Sequence, residues 1–343
     1  MRTNFYIILL VQIKIITITC VIITSCDKEN DLGKSNFVMV TGRSNDISFD
    51  IAGTGTFEID WGDGSGPETH TILDYNEEDW KPYSPYGYGG EPLEPKTFRH
   101  IYSGISTHVI SITGNNITHF NCTRNELTGL SVNKNTPLLN LRCWGNPLNS
   151  LDVSALIMLT TLNCGSNNLK QLNVSKNTAL SYLFCDDNKI KSLDVSNNTE
   201  LTYLNCRNNK LTSLDVRKNT KLDSLFCGRN SLTELDISNN TALTLLDCGF
   251  AQLKILDVSN QTALKDLVCS NNQLTSLDMR KNTALIHLDC QANQLTAQAL
   301  NNLFETLNDN EQNEKSIVIY NNPGNASCDR SIAENKGWKV YFN

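Results

Sequence analysis

"LTYLNCRNNKLTSLDVRKNTK" runs from Leu201 to Lys221, with Cys206 inside it. A step of 21 residues in either direction lands on Cys185 or Cys227. The whole series is Cys122, Cys143, Cys164, Cys185, Cys206, Cys227, Cys248, Cys269 and Cys290, and every interval is 21 residues. Such a period means stacked units, each too small to bury its own apolar face and each completed by its neighbours. Aligned on the cysteines, the unit reads L-x-x-L-x-C-x-x-N-x-L-x-x-L-D-V-S-x-N-T-x.

Within one unit, Leu201, Leu204, Cys206, Leu211, Leu214 and Val216 are spaced to point into a narrow coil. Cysteine suits such an interior because it is small, behaves as an apolar residue and is often fully buried. Strands in neighbouring parallel coils lie about 4.8 Å apart, which a disulfide's Cα spacing tolerates. Their Cβ atoms point the same way, however, and stay beyond the preferred Cβ separation. The repeats hold no C-x-x-C or Cys/His pair of metal-ligand spacing. The expectation is a column of buried free thiols.

Asn125, Asn146, Asn167, Asn188, Asn209, Asn230, Asn272 and Asn293 share the place just after the cysteine strand. Asparagine accepts tight-turn backbone angles and hydrogen-bonds nearby peptide groups. Ala251 interrupts this column in the seventh coil. A second column holds Asn177, Asn198, Asn219, Asn240 and Asn282. Asp152, Asp194, Asp215, Asp236, Asp257 and Asp278 form an acidic column with Lys or Arg close behind, at Lys176, Arg217, Lys218, Arg280 and Lys281. That balance reads as a solvated face and not as a calcium site.

The first eleven positions of the unit match the leucine-rich-repeat signature, with cysteine in the third apolar place. Over roughly 117 to 307 the chain resembles the short bacterial class of leucine-rich repeats, the internalin-like type. The resemblance implies a right-handed repeat solenoid, mostly β with short turns. The second half of each unit repeats the grammar with Val in place of Cys, so two short extended segments per coil and little helix are expected.

The ends depart from the period. "FVMVTGRSNDISFDIAGTGTFEIDWGDGS" alternates apolar and polar residues between glycine-containing turns, as strands do. "DWGDG" (Asp60 to Gly64) with "HIY" (His100 to Tyr102) resembles the immunoglobulin-like PKD-type sandwich. Residues 36–116 are therefore expected to form a β-domain, with a long insertion at 65–97. The repeats take 117–298, and 299–343 form an αβ cap, its helix read from Ala299, Leu300, Leu303, Phe304 and Leu307. Residues 1–25 hold a short apolar run, too short to span a bilayer, that leads through "IITSC" to Cys26. They resemble a bacterial lipoprotein signal cleaved before Cys26, which would carry the lipid, with 26–35 as a tether.

The net charge is −7, and no basic stripe exists to neutralise phosphates, which speaks against nucleic acid. None of the five histidines sits in H-E-x-x-H, and no G-x-S-x-G or Walker loop occurs. Nothing nominates an enzyme, a cofactor or a metal. A binding protein is the expectation, lipid-anchored in the bacterial cell envelope at the outer membrane and facing outward. Its candidate ligand-binding residues are Arg142, Trp144, Tyr182, Phe184, Tyr203, Arg207, Phe226, Arg229 and Phe250, read as outward slots flanking the buried leucines and cysteines. Aromatics and arginines are what interface centres concentrate. Trp80, Tyr83, Tyr86 and Tyr88 in the insertion form a second candidate loop. The partner is read as a protein, acidic or aromatic, drawn by Arg207 and Arg229. The alternative is a carbohydrate stacked on the exposed rings.

Overall fold

The computed structural model describes residues 35–42, 46–72, 97–104, 106–133, 136–309 and 314–342. The signal segment, Cys26 and most of the insertion lie outside the described residues.

The described residues begin with eight strands: β1 (Phe37–Thr41), β2 (Asp46–Gly53), β3 (Thr56–Asp60), β4 (Glu68–Thr71), β5 (Thr97–Ile101), β6 (Val109–Gly114), β7 (Ile117–Asn121) and β8 (Leu127–Val132). They build a five-stranded sheet, β4-β3-β6-β1-β8, and the edge β7-β2-β5 of a second sheet. Between the layers sits an aromatic core in which Phe37 stacks on Phe120 at 4.1 Å and Phe57 meets Phe98 edge-on at 4.9 Å. The "DWGDG" and "HIY" segments meet here. Trp61 stacks on His100 at 4.8 Å, the Tyr102 hydroxyl donates to the Trp61 carbonyl at 2.7 Å, and His100 pairs with Asp63 at 3.1 Å. Gly62 is obligatory in this turn, since its φ is +73° and a Cβ would lie 2.2 Å from the Val109 carbonyl oxygen.

Strand β7 belongs to both parts of the molecule. It pairs antiparallel with β2 on one side and parallel with β9 (Asn140–Arg142) on the other. From β9 the parallel sheet runs through β10 (Thr161–Asn163), β11 (Tyr182–Phe184), β12 (Tyr203–Asn205), β13 (Ser224–Phe226), β14 (Leu245–Asp247), β15 (Asp266–Val268) and β16 (His287–Asp289). It ends with β17 (Lys315–Val318) and β18 (Trp338–Tyr341). The result is a mostly β solenoid of about ten turns, one three-residue strand per repeating coil.

All nine repeat cysteines are fully buried and unpaired, and burial pushes every one of their thiols up in pKa. The asparagines lock coil to coil. Asn230 donates from Nδ2 to the carbonyls of Cys206 and Cys227, each at 3.0 Å, and its Oδ1 accepts from the Leu211 amide at 3.0 Å. In the second column Asn219 donates to Val195 and Asn198 carbonyls at 3.0 and 2.8 Å. Gln261 fills the seventh-coil gap of that column, reaching the Ile237 carbonyl at 2.7 Å.

The expected second extended segment of each coil is not a strand. The aspartate that opens "DVS" accepts from the backbone amide two residues on, as Asp194 does from Ser196 at 2.9 Å and Asp215 from Arg217 at 3.0 Å. Such an Asx turn bends the chain that the apolar alternation would have kept straight.

Helix α1 (Ala297–Thr306) closes the stack. Thr296 caps its N-terminus by accepting from the Ala299 amide, and Leu300, Leu303 and Phe304 are buried beneath it. Lys336 donates to the carbonyls of Phe304, Glu305 and Leu307 at its C-terminal end, and it follows the short helix α2 (Ser331–Glu334). No helix of the described residues is long and apolar enough to cross a membrane.

Candidate functional site

Each coil's strand buries its middle leucine and, one residue past the strand's end, its cysteine. Three positions alternate with these: the first and third strand residues and the residue after the cysteine. In the fourth to sixth coils they place Tyr182, Phe184 and Asp186, then Tyr203, Asn205 and Arg207, then Ser224, Phe226 and Gly228. Strand pairing holds these in register, Tyr182 beside Tyr203 and Asn205 beside Phe226. The site is thus set on rigid sheet.

The rings form one patch centred on Tyr203. Its centroid lies 4.6 Å from Phe184, 5.4 Å from Phe226 and 6.4 Å from Tyr182. Phe184, Phe226 and Tyr182 are half-buried, while Tyr203 is only 6% exposed. This corrects the expectation of a freely exposed ring: Tyr203 is the floor of the patch, wedged between two phenylalanines. Its hydroxyl is also buried and has no hydrogen-bond partner among the described residues.

The column after the cysteines decides the electrostatics. It reads Trp144, Gly165, Asp186, Arg207, Gly228, Gly249 from the second coil to the seventh. The glycines open gaps that longer neighbours cross. A Cβ on Gly165 would stand 2.8 Å from both Trp144 Cδ1 and Asp186 Oδ1, so these two side chains close over it. A Cβ on Gly228 would stand 2.8 Å from Asp247 Oδ1, and over this gap Arg207 Nη1 reaches Asp247 Oδ2 at 3.2 Å. Asp186 forms no ion pair with a lysine or arginine among the described residues. Desolvation first, then the adjacent Asp187, pushes its carboxyl up to about 6.

Arg229 and Phe250 do not lie on the strand face as expected. Both occupy the turn column, at φ +53° and +55°, where the neighbouring coils hold Asn208 and Asn271. There Arg229 lies over the Phe250 ring at 4.3 Å. Arg142 stands two coils before the patch, where its charge acts on Asp50 and His119 of the N-terminal layers. Trp144 carries Arg124 over its ring at 4.7 Å. The structure brings Tyr182, Phe184, Tyr203, Phe226 and Arg207 together, with Trp144 at the margin beside Asp186. Trp80, Tyr83, Tyr86, Tyr88 and Cys26 lie outside the described residues. Asp186 and the three glycines were missed, although reading the post-cysteine column as a column would have found them.

Among the described residues, no group of three or more His, Cys, Asp or Glu side chains is arranged to hold a metal ion.

No family model matches the chain, and no curated protein matches it in sequence. Among solved structures it is similar to the functional domain of InlJ from Listeria monocytogenes, described as including a cysteine ladder. Identity is 31% and the TM-score 0.56, over 70% of this chain and 57% of that one. The leucine-rich-repeat ectodomain of a plant membrane receptor kinase from Arabidopsis thaliana, solved with Casparian strip integrity factor 2, is 21% identical. Its TM-score is 0.50, over 61% of this chain and 28% of that one. A leucine-rich-repeat protein of Leptospira interrogans is 21% identical at a TM-score of 0.49, over 60% of each chain. The chain spans less than two thirds of the length of each of these. It has the leucine-rich-repeat solenoid fold of the internalin type.

Proposed function

We propose that this chain is an exported, membrane-anchored protein that recognises a protein ligand through the concave sheet of its repeats, in the manner of an adhesin. The observation that carries the reading is the four-ring patch around Tyr203, held at fixed register on a rigid sheet. Large rigid aromatic surface is what protein partners use as anchors, because ordering it costs little side-chain entropy. Anchoring at a lipid-bearing Cys26 and a PKD-like N-terminal β-domain belong to the same proposal, as do the candidate loop at Trp80 to Tyr88 and the segment bounds given above.

An array of extracellular protein ectodomains, probed beside a glycan array, tests it. The wild-type chain should bind protein features, and Phe184→Ala with Phe226→Ala should lose them at an unchanged fold. A folded double mutant that still binds would refute the site. Glycan binding alone would turn the reading to carbohydrate capture. Fatty-acid labelling that survives in Cys26→Ala would refute the anchor.

A further inference from the structure

Both arginines that would draw an acidic partner are already engaged, Arg207 by Asp247 and Arg229 by the Phe250 ring. From the fourth to the ninth coil the three outward positions hold four aspartates (Asp186, Asp247, Asp266 and Asp289) against one arginine, a formal balance of −4 + 1 = −3. The face is therefore acidic, and its chemistry is the inverse of what its arginines suggest.

Asp186 is where that acidity lacks an answer. It is withdrawn from water between Trp144 on one side and the Tyr203 and Arg207 coil on the other. Its neighbour Asp187 adds a like charge and is bound by the Asn208 side chain. The buried Tyr203 hydroxyl, unpartnered among the described residues, lies within the field of the same carboxylate. A buried hydroxyl without a partner costs stability, and so does a largely desolvated carboxylate with no basic group paired to it, unless a ligand supplies the missing group. The missing group must carry positive charge and N–H donors.

Resting on the concave-face reading above, we propose that the site takes a lysine or arginine side chain of the protein partner against Asp186, with the adjoining apolar residue of that partner seated on the Phe184, Tyr203 and Phe226 rings. The charged groups facing Asp186 are Asp187 on its own coil and Arg207, backed by Asp247, on the next; across Gly165 stands Trp144, with Arg124 over its ring. Desolvation raises the carboxyl of Asp186 to about 6, and it also raises that of Asp247. Binding needs the Asp186 carboxylate, so affinity is nearly full by about pH 7, half lost near pH 6, and falls further as protons compete below that.

Random dodecapeptides displayed on phage and selected on the immobilised protein at pH 7.5 provide the probe. Enriched peptides should carry Lys or Arg within three residues of an aromatic or aliphatic residue. The synthesised consensus peptide should bind wild type about tenfold more weakly at pH 5 than at pH 7, as a carboxyl titrating near 6 requires. Asp186→Asn, which keeps the side chain's shape, should weaken it at least tenfold at pH 7 and flatten the pH dependence. Enrichment of acidic peptides, no enrichment at all, or equal binding by Asp186→Asn overturns the proposal. A peptide lost in Phe184→Ala with Phe226→Ala but indifferent to Asp186→Asn leaves the patch standing and removes its charge assignment. A peptide indifferent to both removes the two together.

Discussion

Ala251 is a natural defect in the asparagine ladder, and restoring the residue should stabilise the protein. On either side the ladder is complete. Asn230 bonds the carbonyls of Cys206 and Cys227 and the amide of Leu211, and Asn272 does the same for Cys248, Cys269 and Leu253, all at 3.0 Å. The backbone leading into position 251 matches its neighbours, with φ of +53°, +55° and +55° at Arg229, Phe250 and Asn271. An asparagine there is set to bond the Cys227 and Cys248 carbonyls and the Leu232 amide. Three such bonds contribute about 0.5–1.5 kcal/mol each, and ordering the side chain takes back about 1 kcal/mol. Ala251→Asn should therefore gain about 1–3 kcal/mol. In urea this moves the unfolding midpoint up by a few tenths to about 1 M. Asn230→Ala should move it the other way by at least as much. Hydrogen exchange adds a local readout, since the Leu232 amide should become more protected in Ala251→Asn. If neither the midpoint nor that amide responds while Asn230→Ala destabilises, the ladder does not act coil by coil and the additive picture fails.

The nine repeat cysteines should resist alkylation in the native protein and react after unfolding, with half-buried Cys328 the first described thiol to respond; mass mapping that finds bridges between adjacent coils would refute the column. Cys206→Ser should cost about 1–3 kcal/mol by burying a hydroxyl without an assured partner, and Cys206→Ala should cost less, as thermal or urea melts will show. Tyr203→Phe should leave stability unchanged or raise it by about 1 kcal/mol, because it removes a buried hydroxyl that has no partner among the described residues. Asp186→Asn should be more stable than wild type at pH 8. Its carboxyl moves from 3.8 to about 6 on folding, so ionisation opposes the fold as pH rises through that window, by up to about 3 kcal/mol. The variant's advantage should vanish by pH 4, and an advantage independent of pH would show that the carboxyl is not so placed.

Period alone made the cysteine and asparagine columns legible, because a residue repeated every 21 positions must meet its own copies in a stack. Substitutes inside a column were harder. Gln261 makes the same bond to the coil before it as the asparagines do, yet its longer side chain hides the match. The turn after "LD" was misread because apolar alternation is a strand signal, whereas the Asp194 side chain captures the Ser196 amide and bends the chain. At the site, counting alternate residues works only as far as the strand lasts. Arg229 and Phe250 sit one step past the outward column, in left-handed turn geometry that no alternation predicts. Nor does sequence show that Arg207 spans Gly228 to pair with Asp247 two coils away.

Under the proposed function, recognition and stability make different demands on the coils of this solenoid. A coil that only supports its neighbours needs buried leucines, a cysteine and an asparagine with satisfied bonds. The third coil is such a coil on its outward face, with Thr161, Asn163 and Gly165. The fourth coil desolvates Asp186 and the fifth buries the Tyr203 hydroxyl instead, and each opposes folding on its own. Groups that work against the fold are expected where function requires them, held in place by surroundings that over-determine the geometry. Here those surroundings are the aligned strands on both sides, fixed by the cysteine and asparagine columns beneath. The regular columns supply a rigid sheet, and under the proposed function the irregular residues on its outward face are the ones through which a partner would be chosen.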